Sequence, residues 1–491
     1  MYKSILQFVE KDINEIGRMA GKILTGEVDS DDLSAEINER VSNLGNNLIA
    51  EIYEKMDELI RESEKRKEKW TIEQRNKPKT LVDIMGNISF HRTCYENKFT
   101  GESICLLDEL LGFSPHQKIT VGASARALEE AIMSSYSRGG ERVSEFATIS
   151  KQAMKKLVHE TKVDIPIKEL EVKKKIKWLH IVADEDHASA QFWNEKGDLK
   201  LGKNGQKINT IQPKAICLYE DVINESGEMS KSPRYKLIGK RYFSGVYHGR
   251  GNEDFWKEVL AYIEATYDTD YLERVYISGD GAGWIKMGCD VLDKSVFVLD
   301  RFHMMKYVNK SVAHLEDSID DVKTEIWEAL NDGDKKRLKE VYRMILANTV
   351  NENKKEEVKE SLKYFLNHWE GINIRVIDAG GCWKCCAEGQ VSHLLSARLS
   401  SRPMGWSVLG CDQMAKLRAF KWNGGKVIDL LKYKREKQKI EDYQKEQKEL
   451  LEEVRKKYKG WCNESQLSVD IPGLERASMR WMKNLIDQAV S

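Results

Sequence analysis

Apolar residues recur at helical spacing near the start of the chain, at Ile5, Val9, Ile13 and Ile16 and again at Leu48, Ile52, Met56 and Leu59. This period predicts helices over residues 1–75. The stretch Asp29 to Asp32 predicts a loop and an N-cap between two of them. Residues 61–80 are dense in charge and predict an exposed segment. At Leu81 the period changes: residues 82–95 alternate and are rich in β-formers, Glu96 to Gly101 carry turn residues, and SICLL follows. That pattern predicts a hairpin.

Residues 104–160 return to helical spacing and read as helix, break, helix, short turn, helix. Ser150 is placed to cap the last helix, which carries Lys151, Gln152, Lys155 and Lys156. Such a pattern fits a helix-turn-helix whose second helix enters the DNA major groove; it equally fits two amphipathic helices joined by an ordinary turn. Strand-like runs then appear at IKWLHIVAD, KAICLYEDV and YKLIGKRYFSGVYHG, followed by an amphipathic helix from Phe255 to Tyr267 and two short runs, RVYISGD and SVFVLD. Three strands followed by alternating helix and strand predict an α/β fold with a mixed sheet and helices packed on it. Residues 316–372 are helical and charged, 387–400 begin another helix, and 427–459 predict a long charged helix resembling a coiled-coil arm.

Composition narrows the class. Of 491 residues, 32% are charged, and the mean hydropathy is −0.56. No run of 18 apolar residues occurs, so no membrane helix is expected. The opening MYKSILQFVEKD lacks the apolar core of an export signal. Together with nine scattered cysteines, this predicts a cytoplasmic protein with reduced thiols rather than a disulfide framework. The 79 basic and 79 acidic side chains cancel overall, but not locally. Residues 1–60 hold 6 basic against 13 acidic groups, and residues 416–460 hold 15 against 8. A polyanionic partner therefore remains compatible with zero net charge.

The candidate chemistry lies where the strand pattern stops. Asp184 closes WLHIVAD, Asp280 closes VYISGD ahead of Gly281-Ala282-Gly283, and Glu388 opens a helix. Carboxylates at strand ends fall at the rim of a sheet, where sites are built. Converging carboxylates suit Mg²⁺ or Mn²⁺, and a pair of such ions serves phosphoryl transfer. A lone Asp at a strand end also serves as a turn or cap residue. His303, in Asp300-Arg301-Phe302-His303, is placed to contact a phosphate or a metal, or to act structurally. Cys382 and Cys385, with His393 nearby, form half a zinc site without a second half, and are read as structural thiols. Arg398, Arg402 and Arg418, with Lys416 and Lys421, are interleaved with Trp406, Phe420 and Trp422. They fit phosphate binding and base stacking, or an ordinary basic surface.

LHIVADEDHA, VYISGDGAGWI, VLDRFHMMKYV and AEGQVSHLLSARLSSRPMGWS, in that order, closely resemble the ISLre-type insertion-sequence transposases, a bacterial family similar to the Mutator-like DDE group. The resemblance spans nearly the whole chain. It implies an RNase H-like core with Asp184, Asp280 and Glu388 as the three acids and metal ligands. An Asp-x-x-His element formed by Asp300 and His303 follows the second acid. The acids are 96 and 108 residues apart, so the resemblance implies an all-α insertion before the last one. Asp186, two residues beyond Asp184, is the alternative first acid. The implied organisation is an N-terminal helical region (1–80), a DNA-binding region (81–165), the catalytic core in two parts (172–303 and 387–425), the insertion (304–386) and a basic helical C-terminal region (426–491).

The implied activity is cleavage of element ends and strand transfer into target DNA, with two Mg²⁺ or Mn²⁺ ions and a homo-oligomer in the active complex. Lys151, Gln152, Lys155, Lys156, Arg398 and Arg402 are the expected DNA contacts. Two rivals are a non-catalytic DNA-binding protein on a degenerate scaffold and a nuclease without strand transfer.

Overall fold

The computed structural model describes residues 2–191, 201, 209–226, 234–378, 387–402, 404–442 and 456, with side chains at 387, 388 and 438–442 outside the description. The described residues of Met1–Leu157 and Val427–Ser491 form one compact unit, and those of Val158–Lys426 form another.

In the first unit Asp29 caps α1 (Ser30–Glu62) through a capping box, accepting from the Asp31 and Asp32 amides while the Asp32 side chain accepts from the Asp29 amide. The charged segment 61–80 is largely exposed, as expected, but the expected helix does not run on to residue 75. After the short helix Glu64–Lys69, Trp70–Asp83 forms strand β1, antiparallel to β2 (Gly86–Asn97). Two register shifts between Ile72 and Lys77 break the alternation, and residues 73–78 are exposed. A bulged, exposed edge strand has no apolar period to read. The run 82–95 is consequently split by a tight turn at 84–85, and the expected turn at 96–101 leads only to a two-residue strand, Ser103–Ile104. The other edge of β2 is covered by α1, where Glu54 accepts from the His91 amide at 2.8 Å and Asp57 from the Thr93 amide at 2.9 Å.

Four helices follow: the short Leu106–Leu111, then α2 (Val121–Met133), α3 (Tyr136–Glu141) and α4 (Lys151–Glu160). Ser150 Oγ accepts from the Ala153 amide at 3.2 Å, as the sequence predicts. The turn before α4 is not short, however. Residues 142–150 fill it, organised by Ser144 Oγ, which accepts from the Phe146 and Ala147 amides. Cys94 and Cys105 are joined in a disulfide, so the expectation of uniformly reduced thiols fails at this pair. The helix Val427–Asp442 buries Val427 and Leu430; apart from residue 456, the remainder of the expected long helix lies outside the described residues.

The second unit is built on five strands: β3 (Trp178–Glu185), β4 (Lys214–Tyr219), β5 (Arg241–Gly245), β6 (Arg274–Gly279) and β7 (Ser295–Leu299). Their spatial order is β5-β4-β3-β6-β7. β4 is antiparallel to both its neighbours, while β3, β6 and β7 run parallel. The long runs read as single strands are interrupted at Glu220 and at Gly239, which has φ +61°. Their far halves, Asp221–Asn224 and Tyr235–Ile238, pair as a separate ribbon.

Alternation along β3 divides the packing. Leu179, Ile181 and Ala183 face α5 (Gly251–Thr266), which presents Phe255, Trp256, Val259 and Ile263 on one helical face. Beyond β7, helices α6 (Arg301–Val312), α7 (Ile319–Asn331), α8 (Lys335–Asn348), α9 (Glu352–Asn367) and α10 (Trp369–Ile377) bury a second core that includes Met304, Val308, Ile326, Tyr342 and Phe365. The chain returns to the sheet through α11 (Ala387–Val391), packed against β3 and β4, and α12 (Val408–Trp422), packed against β5.

Side chains take up some of the outer hydrogen-bonding groups at each edge of the sheet. At β5, Asn423 accepts from the Tyr242 amide at 2.7 Å and donates to its carbonyl at 2.8 Å, and Asp412 accepts from the Val246 amide at 2.8 Å. At β7, Arg375 Nε donates to the Leu299 carbonyl at 3.0 Å.

Candidate metal centre at the strand ends

The three parallel strands end in three acids. Asp184 lies near the end of β3, Asp280 follows β6 and Asp300 follows β7, with the Asp300 amide donating to the Gly279 carbonyl at 2.9 Å. Carboxylates on adjacent parallel strands converge because the strands stand about 4.8 Å apart. Gly279 permits the close approach: a Cβ there would lie 2.8 Å from the Ala183 carbonyl oxygen.

Asp184, Asp280 and His303 each offer a ligand atom, and these atoms lie within 4.8 Å of one another. Asp184 is buried, while Asp280 and His303 are half-buried. Asp184 Oδ1 accepts from the Glu185 amide and Asp280 Oδ1 from the Ala282 amide, both at 2.8 Å. Each acid is thereby oriented by its own backbone.

Asp300 occupies the N-cap position of α6 but makes no cap bond with its side chain. It is fully buried, and its Oδ2 lies 3.2 Å from His303 Nδ1. Its Oδ1 has no hydrogen-bond partner among the described residues. Asp300 therefore engages Nδ1 and leaves Nε2 as the ring nitrogen for a ligand, the arrangement by which a carboxylate orients a metal-binding histidine. Burial lowers the pKa of His303, but the hydrogen bond to Asp300 and the charges of Asp184, Asp300 and Asp280 outweigh it, and the net shift is upward. Two carboxylates, an imidazole and a buried carboxylate behind it are a donor set that a hard divalent cation fits.

The remaining predicted residues divide. Glu388 lies on α11, whose backbone packs against the Asp184 strand, but its side chain lies outside the described residues, as do Cys382 and Cys385. Asp186 is buried, with Oδ1 accepting from Ser400 Oγ at 3.0 Å and from the His187 amide. Lys151, Gln152 and Lys156 are exposed on α4, and Lys155 is half-buried. Arg402 is exposed.

Arg398 is a correction: it is 2% exposed, with its guanidinium 4.8 Å from the Trp406 ring centroid. Arg418 is buried equally, donates to the Leu394 and His393 carbonyls and lies 4.3 Å from the Trp422 ring. These arginines brace the connection after α11 rather than forming a basic surface. Guanidinium–aromatic stacking in a core leaves the same composition as a nucleic-acid patch, so the sequence pattern alone does not separate them.

One neighbour of the site carries no signal in the sequence. Tyr364 on α9 donates to the Asp280 carbonyl at 2.7 Å, across 84 residues.

Among the described residues no helix is long and apolar enough to cross a membrane. A solved structure, the Drosophila P element transposase strand transfer complex, aligns with 72% of this chain and 88% of that chain at 13% identity, with a TM-score of 0.19, too low to show a shared fold. Relatives from Caldanaerobacter subterraneus subsp. tengcongensis are much closer. One UPF0236 protein is 35% identical over 453 residues, covering 92% of this chain and 90% of the relative. Another, whose name joins eleven labels, is 35% identical over 426 residues, covering 87% of this chain and 85% of the relative. The profile of the same family matches residues 24–439. The chain therefore belongs to the uncharacterised protein family UPF0236.

Proposed function

We propose that this protein is a DDE-type transposase that cuts the ends of a mobile element and joins them to target DNA. The observation that carries the reading is the convergence of Asp184, Asp280 and His303 at the ends of neighbouring strands. The order β5-β4-β3-β6-β7, with β4 antiparallel, supports an RNase H-like core. The helices between β7 and α11 stand where the inserted helical domain is expected. A relative whose single name joins eleven labels accords with a gene copied many times, as a mobile element is.

In this reading Asp184 and Asp280 supply the oxygen donors for Mg²⁺ or Mn²⁺, and Glu388 completes the set for a second ion. A bound cation would supply Lewis-acid activation and charge neutralisation at the phosphate. His303, held by Asp300, orients the scissile phosphate or adds a nitrogen ligand through Nε2. The exposed cations Lys151, Lys156 and Arg402 contact DNA phosphates, and Gln152 is positioned on the same helix to read a base edge. The active form is a homo-oligomer on paired ends.

The test incubates purified full-length protein with labelled element ends, target DNA and Mg²⁺. The expected products are cleaved and joined strands, both absent with Asp280→Ala. Cleavage without joining would make the protein a nuclease. Binding without either would make it a DNA-binding protein on a non-catalytic scaffold.

A further inference from the structure

We infer that Tyr364 and His368 are positioning residues through which the helical layer sets the geometry of the Asp280 carboxylate. The inference rests on the reading of Asp184, Asp280 and His303 as a cation site.

The carboxylate of Asp280 does not stand free. Its Oδ1 accepts from the Ala282 amide at 2.8 Å, so its direction follows the turn Asp280-Gly281-Ala282. That turn is fixed from outside the sheet. The Tyr364 hydroxyl donates to the Asp280 carbonyl at 2.7 Å. The Tyr364 ring lies parallel to Tyr307 of α6, with centroids 3.8 Å apart and 15° between planes, so its hydroxyl is delivered from a rigid pair of helices.

His368, at the C-terminus of α9, closes the other side. A Cβ at Gly281 would lie 2.5 Å from the His368 ring, and Gly281 has φ +95°, a conformation that favours glycine. Lys286 donates to His368 Nδ1 at 2.9 Å, fixing the ring from the segment just beyond the turn. Two contacts, one from α9 and one from its end, therefore hold two residues of the turn. A hydrogen bond that acts on backbone, two bonds away from the functional side chain, is a device for orienting it without touching the ligand.

The insertion thus has a role apart from filling the interval between the second and third acids. Any displacement of α9 relative to the sheet is transmitted to Asp280 through Tyr364 and His368.

The test measures Mn²⁺ binding to the full-length protein by calorimetry, well below the melting temperature. The variants are Tyr364→Phe, His368→Ala and Asp280→Ala. Tyr364→Phe keeps the stacked ring and removes only the hydroxyl. It is expected to weaken Mn²⁺ binding about three- to tenfold, the range for loss of one hydrogen bond, with a melting temperature close to that of the wild type. His368→Ala should weaken binding in the same direction, and Asp280→Ala should abolish it.

Wild-type affinity in both Tyr364→Phe and His368→Ala, with binding lost in Asp280→Ala, would overturn the positioning role while leaving the cation site intact. No Mn²⁺ binding by the wild type would overturn the cation site and the inference with it. If Tyr364→Phe fails to fold, His368→Ala alone decides by the same criterion.

Discussion

A Cβ on Gly279 would lie 2.8 Å from the carbonyl oxygen of Ala183, so at this position the strand leading to Asp280 meets the strand bearing Asp184 at a distance that leaves no room for a side chain. Ile285, 2.7 Å from the same point, closes the remaining space. Gly279→Ala should therefore push β6 away from β3 and separate Asp184 from Asp280. The expected cost is about 1–3 kcal/mol, as for overpacking in a core. Urea denaturation reads that loss, and cation binding should weaken in parallel. A variant as stable as the wild type with unchanged cation binding would show that the backbone yields without moving the acids.

Asp280→Ala should remove strand cleavage while leaving affinity for element ends nearly unchanged, because cationic contacts to phosphate dominate DNA affinity. Gel-shift titration and a cleavage assay on one preparation check this. Loss of binding and cleavage together would place Asp280 in the fold rather than in the chemistry.

His180 is buried between the rings of Tyr219 and Tyr276, with centroids at 5.1 and 5.3 Å. Burial lowers its pKa to about 4, the charge of Asp221 opposing only weakly. A histidine depressed in the folded state from its usual value of about 6.5 binds its proton more readily when unfolded. Stability from this group is then full above the unfolded value and falls between pH 6.5 and 4, by about 3 kcal/mol. His180→Phe keeps an aromatic ring in the stack and removes the titration. Its denaturation free energy should decline less than the wild type's across that window, and parallel curves would contradict the assignment.

The arginines separate by burial. Lys151→Ala and Arg402→Ala, at exposed positions, should each reduce the slope of log affinity for DNA against log salt by about one. Arg398→Ala should leave that slope unchanged and lower the melting temperature, since its guanidinium lies against Trp406 inside the fold. A reduced slope in Arg398→Ala would return that residue to the DNA interface.

Glu388→Gln tests whether Glu388 is the third acid that the proposed function requires. Loss of cleavage by several orders of magnitude with an unchanged melting temperature is the expected outcome. Near-normal cleavage, with a slightly lower melting temperature, is what a charge serving only the helix dipole would give, at about 0.3–1 kcal/mol.

The strands that build the site were legible because each is a short apolar run closed by an acid: WLHIVAD and VYISGD declare both the element and the residue at its end. The N-cap within Asp29–Asp32 and the cap at Ser150 were legible for the same reason, since capping is local chemistry. β1 was hidden because its register shifts break the period and residues 73–78 are exposed. Arg398 was misread because burial against Trp406 is a tertiary fact. Tyr364 was silent because its hydroxyl acts on a backbone carbonyl, and any sequence supplies a backbone carbonyl. Asp300 was visible as part of Asp-x-x-His, but its diversion from helix capping to the imidazole emerges only from geometry.

The side chains of Asn423, Asp412 and Arg375 bond backbone groups of Tyr242, Val246 and Leu299 at the two edges of the sheet. An unpaired strand edge is a template for another chain, in ordered assembly and in amyloid alike. Here the edge groups of Tyr242, Val246 and Leu299 are already engaged within the chain, so a second strand laid along either edge would first have to displace Asn423, Asp412 or Arg375.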